Sequence, residues 1–465
     1  MRCSVYAATA FSSQTLLVAT RSLLDRIPPF QQRFLKLAFV NILSNLMVPL
    51  AGLADVAFLG HLSDIRDLAG VALATVLFNY IYWTFGFLRM ATTGMTAQAI
   101  GRGDEETVRL IALRHSLLAL AIAGTILLLQ HPLKAIGFSL LSATPAVEAA
   151  GSAYYDALIW GAPATLLNFV LIGWLLGREQ GSRVLLLSIV GNGIDVFLNY
   201  LFIVRWGWGS AGAGISTTLS QYAMLAVGLA VIFSGLSPRH WRDTVPGGLR
   251  QQLFDPVALK AAFTLNGDIL VRTFALISTF ALVTNISSSL GTLTLATNSL
   301  MLQVVTLAAY FIDGIAFATE SFAGQFYGQN DRTQLTKLLR LGGSISLLLG
   351  LAFGCGFALQ PIALFRLLTN HTDILSQIPH FAVWLIPVLG FGAIAYLLDG
   401  YFLGLTAGAT LKRSSLLATL AFAPIAWLAW RWHNPHLLWL ALTVFMAGRA
   451  LTLALRVPAT LKDSD

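Results

Sequence analysis

Two short patterns recur in this sequence at one fixed distance. Gln98-x-x-Gly101-x-x-Asp104 returns as Gln325-x-x-Gly328-x-x-Asp331, 227 positions later. Gly177-x-x-x-Gly181 returns as Gly404-x-x-x-Gly408, again 227 positions later. Either match alone is weak, but one shared offset at two separate places marks two copies of a single unit. Nearly everything between these marks is hydrophobic, so each copy must bury its surface in lipid or against the other copy.

Apolar residues make up 56% of the chain and charged residues only 11%. That is too little charge to coat a soluble protein of 465 residues. The apolar residues come in runs of about 20 or more, enough for a helix to cross a bilayer core. Twelve such runs lie at 34–59, 68–99, 109–130, 149–176, 184–204, 210–235, 257–284, 290–327, 336–359, 378–404, 411–431 and 436–457. Six precede and six follow the hydrophilic stretch 236–256, whose Pro and Gly residues mark a linker. An even number of spans per copy gives both copies the same orientation, related by an axis along the membrane normal. The expected fold is therefore an all-α integral membrane protein of two parallel six-helix repeats. Its expected parts are a tail at 1–32, an N-lobe at 33–235, a cytoplasmic linker at 236–256 and a C-lobe at 257–465 ending in a short tail. The other connections are too short for a soluble catalytic domain. The Gly-x-x-x-Gly pairs sit where helices end, so a helix-contact role and a C-terminal cap role are both open.

The net charge of +8 would suit nucleic acid if it lay on one face, but its placement follows a membrane rule instead. Arg33, Lys36, Arg102, Arg109, Arg178, Arg183, Arg239, Arg242, Arg250, Arg332, Lys337, Arg340, Lys412, Arg413 and Lys462 fall on one side of the expected topology. Arg66, Lys134, Arg205, Arg366 and Arg431 are nearly all that falls on the other. This bias places both termini in the cytoplasm and argues against a nucleic-acid partner. The two cysteines, Cys3 and Cys355, give neither a disulfide framework nor a metal site. The eight histidines show no metal-ligand spacing within an apolar helix. Phosphate loops, nucleophile elbows and zinc motifs are absent, so no enzyme and no cofactor is expected. The first 30 residues, with no acid before Asp25, fit a short tail or an organelle transit peptide.

An ionisable side chain inside hydrocarbon costs several kcal/mol, so each one needs a reason. In the first run, Asp55 follows Pro49 by six residues. It is either a proton or cation site in a helix that can bend or an acid at the outer interface. The fifth carries Asn192, Asp195 and Asn199, spaced to share one helix face. Tyr154 of the fourth run and Thr217 of the sixth can close a polar pocket with them, although amides also serve simply to bond helices together. In the second copy, Asp268 and Arg272 are four apart beside Asn266 and can pair within one helix. Asp313, Glu320 and Asp399 are either a second ion site or partners for Arg89 or Arg272. Taken together, the interior reads as mainly acidic and polar.

These residues carry a resemblance to the multidrug and toxic-compound extrusion (MATE) family and, within it, to the DinF-type subgroup. The segments concerned are Asn41-Ile-Leu-Ser-Asn-Leu-Met-Val-Pro-Leu-Ala-Gly-Leu-Ala-Asp55, Phe85-Gly-Phe-Leu-Arg-Met-Ala-Thr-Thr-Gly-Met-Thr-Ala-Gln98 and Ile159-Trp-Gly-Ala-Pro163. In the second half they are Asn266-Gly-Asp-Ile-Leu-Val-Arg272, Asp313-Gly-Ile-Ala-Phe-Ala-Thr-Glu320 and Leu398-Asp-Gly-Tyr-Phe-Leu-Gly404. The resemblance implies two six-helix lobes around a V-shaped central cavity. It implies antiport, with a cationic or amphipathic small molecule leaving as protons or sodium ions enter. It also implies a monomer in a bilayer, here a bacterial plasma (inner) membrane. Asp55 matches the family's first-helix aspartate, proposed to bind the coupling ion; Tyr154 and Thr217 match its polar partners, and Asp399 matches a tenth-helix aspartate. The family's fifth helix often reads Asn-x-x-x-Asp, whereas this chain has Asp195-x-x-x-Asn199. A flippase for lipid-linked head groups, on the same superfold, is the alternative; it would need Arg and Lys facing phosphate.

The topology is testable with Ser237→Cys and Ser288→Cys, placed singly in a cysteine-free background. From outside intact cells, an impermeant thiol reagent should label position 288 and spare 237. The opposite pattern would overturn the orientation.

Overall fold

The computed structural model describes residues 28–61, 65–141, 143–234 and 249–462. Most of the expected tail and of the expected linker thus lie outside the described residues. The described chain is helical, with no strand among the described residues. The N-lobe holds α1 (Pro29–Gly60), α2 (Ile65–Gly101), α3 (Glu105–Leu128), α4 (Pro145–Gly177), α5 (Gly181–Arg205) and α6 (Gly209–Ser234). The C-lobe holds α7 (Pro256–Ser289), α8 (Thr292–Gly328), α9 (Arg332–Leu359), α10 (Thr372–Gly404), α11 (Gly408–Arg431) and α12 (Pro435–Ala454). Among the described residues, eleven helices are long and apolar enough to cross a membrane by length and composition. The exception is α11, a 24-residue helix with Lys412 and Arg413 near its start and Arg431 at its end. It packs between α7 and α12.

Helix α1 begins at Pro29, earlier than its apolar run, because proline is favoured in the first turn, where its missing N–H is no loss. Its counterpart α7 likewise begins at Pro256. Within each lobe the packing repeats: α1 on α5 as α7 on α11, α2 on α4 as α8 on α10, and α5 on α6 as α11 on α12. The repeat is not perfect. Helix α2 breaks at Phe85–Gly86, whereas α8 runs unbroken for 37 residues. Helix α5 ends in a π-helical turn, Tyr200–Arg205, which α11 lacks.

The repeated residues are where the copies are fastened, and each has an identifiable job. Asp104 and Asp331 are N-caps, accepting from the backbone N–H of Thr107 at 2.9 Å and of Gln334 at 3.0 Å. Gly101 and Gly328 lie where α2 and α8 cross between lobes. A side chain on Gly101 would strike the carbonyl oxygen of Gln325, and one on Gly328 that of Gln98. Gly177 and Gly404 make the equivalent close approaches inside each lobe, to the carbonyls of Thr93 and Glu320. The glycines of the two Gly-x-x-x-Gly pairs are therefore helix contacts. The left-handed cap positions after α4 and α10 fall instead to Glu179 and Thr406, at φ of 56° and 54°. Helix α1 also packs on α8, from Phe30 against Phe326 to Asn45, which donates to the Tyr310 carbonyl at 3.3 Å. Further along α1, Val48, Leu50, Leu53 and Val56 are exposed.

The crossing predicts two opposite outcomes for one chemical change. Gly101→Ala should destabilise the protein by about 1–3 kcal/mol, the usual range for overpacking, and lower its melting temperature in detergent. Gly52→Ala, where nothing lies within 4 Å of the added methyl, should leave it level or higher. Equal midpoints would refute the crossing.

Candidate ion-coupling site and its charged counterpart

Four helices of the N-lobe bring its polar residues to one place. Asn199, on α5, donates from Nδ2 to Asp55 Oδ1 of α1 at 2.6 Å. Ser216 of α6 donates to Asn199 Oδ1, so both ends of the amide are used and its orientation is fixed. One turn back, Asp195 faces Ser220 at 3.4 Å, with the Thr217 hydroxyl also against its carboxylate. Asp195 is near enough for its charge to act on Asp55. Tyr154 of α4 sits within the field of both acids, hydrogen-bonded to Thr75 and edge-on to Phe78. Asn192 does not join them; its amide donates to the Ser188 carbonyl of its own helix at 2.7 Å. The π-helical turn of α5 starts directly after Asn199, and such turns often mark functional places in helices.

The exchanged order on α5 now has a physical meaning. An amide at 199 can donate to Asp55, whereas a carboxylate there would confront it with a second acid. Neither Asp55 nor Asp195 forms an ion pair among the described residues. Two carboxylates inside the membrane thus lack a fixed cation among the described residues.

The C-lobe differs. Arg272 of α7 and Arg449 of α12 both donate to Asp399 Oδ2 of α10. Asp268 pairs with Lys412 of α11. The expected Asp268–Arg272 pair within one helix is not formed, because each residue has a better-placed partner on a neighbouring helix. Across the lobe boundary, Arg89 of α2 lies 3.6 Å from Glu320 of α8, its guanidinium 3.9 Å from the Phe317 ring centroid. Asp313 sits in the field of Arg272, Arg89, Asp399 and Arg449. Three buried or nearly buried arginines therefore face three acids, Asp313, Glu320 and Asp399, and this part of the interior is not mainly acidic. Arg449 is fully buried and was missed in the sequence, although an arginine inside the apolar run 436–457 was the same signal that singled out the acids. Ser216 and Ser220 were also missed, and Lys412 was read only as part of the charge bias, not as the partner of Asp268. A serine in a membrane helix usually bonds its own backbone and so gives little signal.

The comparisons agree with this architecture. Residues 41–201 and 269–437 match the MatE family model, in two blocks that follow the two lobes. The chain is 33% identical to DNA damage-inducible protein F of Escherichia coli K12 over 423 residues, 90% of each chain. It is 24% identical to the probable multidrug resistance protein NorM of Thermotoga maritima, over 76% of each. A solved structure described as the outward-facing conformation of a multidrug resistance MATE family transporter superposes with a TM-score of 0.82. That match is 20% identical and covers 95% of this chain and 98% of the other. Family membership accounts for the paired lobes and for a polar interior without enzymatic machinery. The chain belongs to the MatE family of multidrug efflux transporters, in its DinF-type branch.

Proposed function

We propose that this transporter is an antiporter. It exports cationic or amphipathic small molecules in exchange for protons or sodium ions, and Asp55 with Asp195 is the place where the two cargoes compete. One observation carries the reading: the N-lobe acids are held by hydroxyls and an amide with no fixed cation, whereas the C-lobe acids face arginines. A proton or sodium ion arriving at Asp55 cancels charge there and changes which helix packing is favoured. A cationic substrate does the same from the other side of the cycle, so exchange needs no ATP. Similarity to the Escherichia coli protein supports placement in a bacterial plasma membrane, and the Lys/Arg bias supports cytoplasmic termini and linker. Flipping of a lipid-linked head group is less well supported. It calls for cations free to meet phosphate, but Arg272 and Arg449 share Asp399 and Arg89 faces Glu320.

The test is transport by purified protein in liposomes, with proton and sodium gradients imposed separately. Asp55→Asn should insert and fold but lose gradient-driven transport by at least about tenfold, a barrier change of about 1.4 kcal/mol. Near-normal transport at normal incorporation would remove Asp55 from the mechanism.

A second set of variants addresses the exchanged pair on α5. Asp195→Asn should impair transport more than Asn199→Ala. Combining Asp195→Asn with Asn199→Asp, which restores the order common in the family, should recover part of the activity. Full activity of Asp195→Asn across a range of external pH would leave Asp55 as the sole N-lobe ion site.

A further inference from the structure

The glutamines of the repeated pattern do more than mark the repeat. Gln98 Nε2 of the N-lobe donates to the carbonyl of Gly404, the last residue of α10 in the C-lobe, at 2.9 Å, and to Thr406 Oγ1 at 3.1 Å. Gln325 of the C-lobe returns the contact: its Nε2 reaches the carbonyl of Gly177, the last residue of α4 in the N-lobe, at 3.4 Å. Beside it lies the carboxylate of Glu179, which also binds Arg33 at 2.6 Å. The final carbonyls of a helix have no partner within it, and here each lobe supplies the donor for the other.

Two of the four non-glycine residues with left-handed backbone among the described residues lie at the same two places; Asn330 and His433 are the others. Glu179 and Thr406 take left-handed conformations where glycine is the usual residue, and a β-branched threonine there is uncommon. A side chain is kept despite the strain, and both side chains are the ones that face the opposing glutamine. Strained positions of this kind are drawn to functional sites. The two arms are unequal. The Gln98 arm has two short contacts to neutral acceptors; the Gln325 arm has one long contact beside a carboxylate that Arg33 already holds.

We infer that Gln98 and Gln325 are the paired latches of a gate that closes the transport path at the linker end, each holding the lobes together by capping the other lobe's helix. The glycine crossing lets the lobes meet; the glutamines set how long they stay together. They are positioning residues, because they act on the path through the lobes and touch no cargo. The inference rests on the two-lobe transporter reading, but not on which acids couple the ion.

Its test is double electron–electron resonance in lipid nanodiscs. Spin labels go on Arg102→Cys and Gln329→Cys, both exposed and just past α2 and α8, with Cys3 and Cys355 changed to serine. The latch variants are Gln98→Met and Gln325→Met, which keep length and lose the donor. The unaltered latch should give mainly one short distance. Gln98→Met should raise the long-distance share at least about fivefold, equivalent to about 1 kcal/mol, and Gln325→Met should raise it less. A merely structural role would lower the melting temperature and leave the distances alone. Distances unchanged in both single variants would overturn the proposal. The measurement needs no substrate or gradient, so a failed coupling assignment at Asp55 leaves its outcome readable.

Discussion

Inside a bilayer there is no water to satisfy a polar group, and the rest of this structure follows from that. Backbone groups must pair within helices, which accounts for an all-helical interior among the described residues. Charged side chains must find partners or be left for a mobile ion. The C-lobe takes the first course. Arg272 and Arg449 converge on Asp399, and breaking such a buried pair typically costs about 3–5 kcal/mol because one charge is then stranded. In the N-lobe, Asp55 and Asp195 instead meet an amide and hydroxyls, with no fixed cation among the described residues.

The two lobes share a scaffold and divide its uses. The first five helices of each lobe start at an offset of 227 residues, and the contacts that join the lobes at Gly101 and Gly328 share it. The departures from symmetry set the two lobes apart. Asp195 and Asn199 lie on α5, next to a π-helical turn that α11 lacks. The arginines Arg272 and Arg449 lie in the C-lobe only. Alternation between two packings needs surfaces that fit in discrete ways. Close backbone crossings at Gly101 and Gly328 provide such a surface, since a small displacement there loses contact at once.

Much of this was readable in the sequence, for reasons that differ by residue. The span count and the repeat were legible because membrane helices need long apolar runs. Asp55, Asp195, Glu320 and Asp399 stood out because a charge in such a run is costly. Partners were harder to read. Asp268 reads as a mate for Arg272 four residues on, yet its partner Lys412 is 144 positions away. Only the packing of α7 between α2 and α11 decides which way each side chain turns. Ser216 and Ser220 carry no mark that separates them from serines bonding their own backbone. The glutamines were visible as a pattern, but their purpose needed the other lobe.

The central claim is that the coupling ion and the exported cation compete for the uncompensated acids of the N-lobe. It is tested most directly by equilibrium binding of a lipophilic cation, tetraphenylphosphonium, to the purified protein at varied proton and sodium concentrations. The account predicts that apparent affinity falls as the coupling ion rises, and that this dependence disappears when Asp55→Asn and Asp195→Asn are combined. Competition of equal strength in that double variant would contradict it.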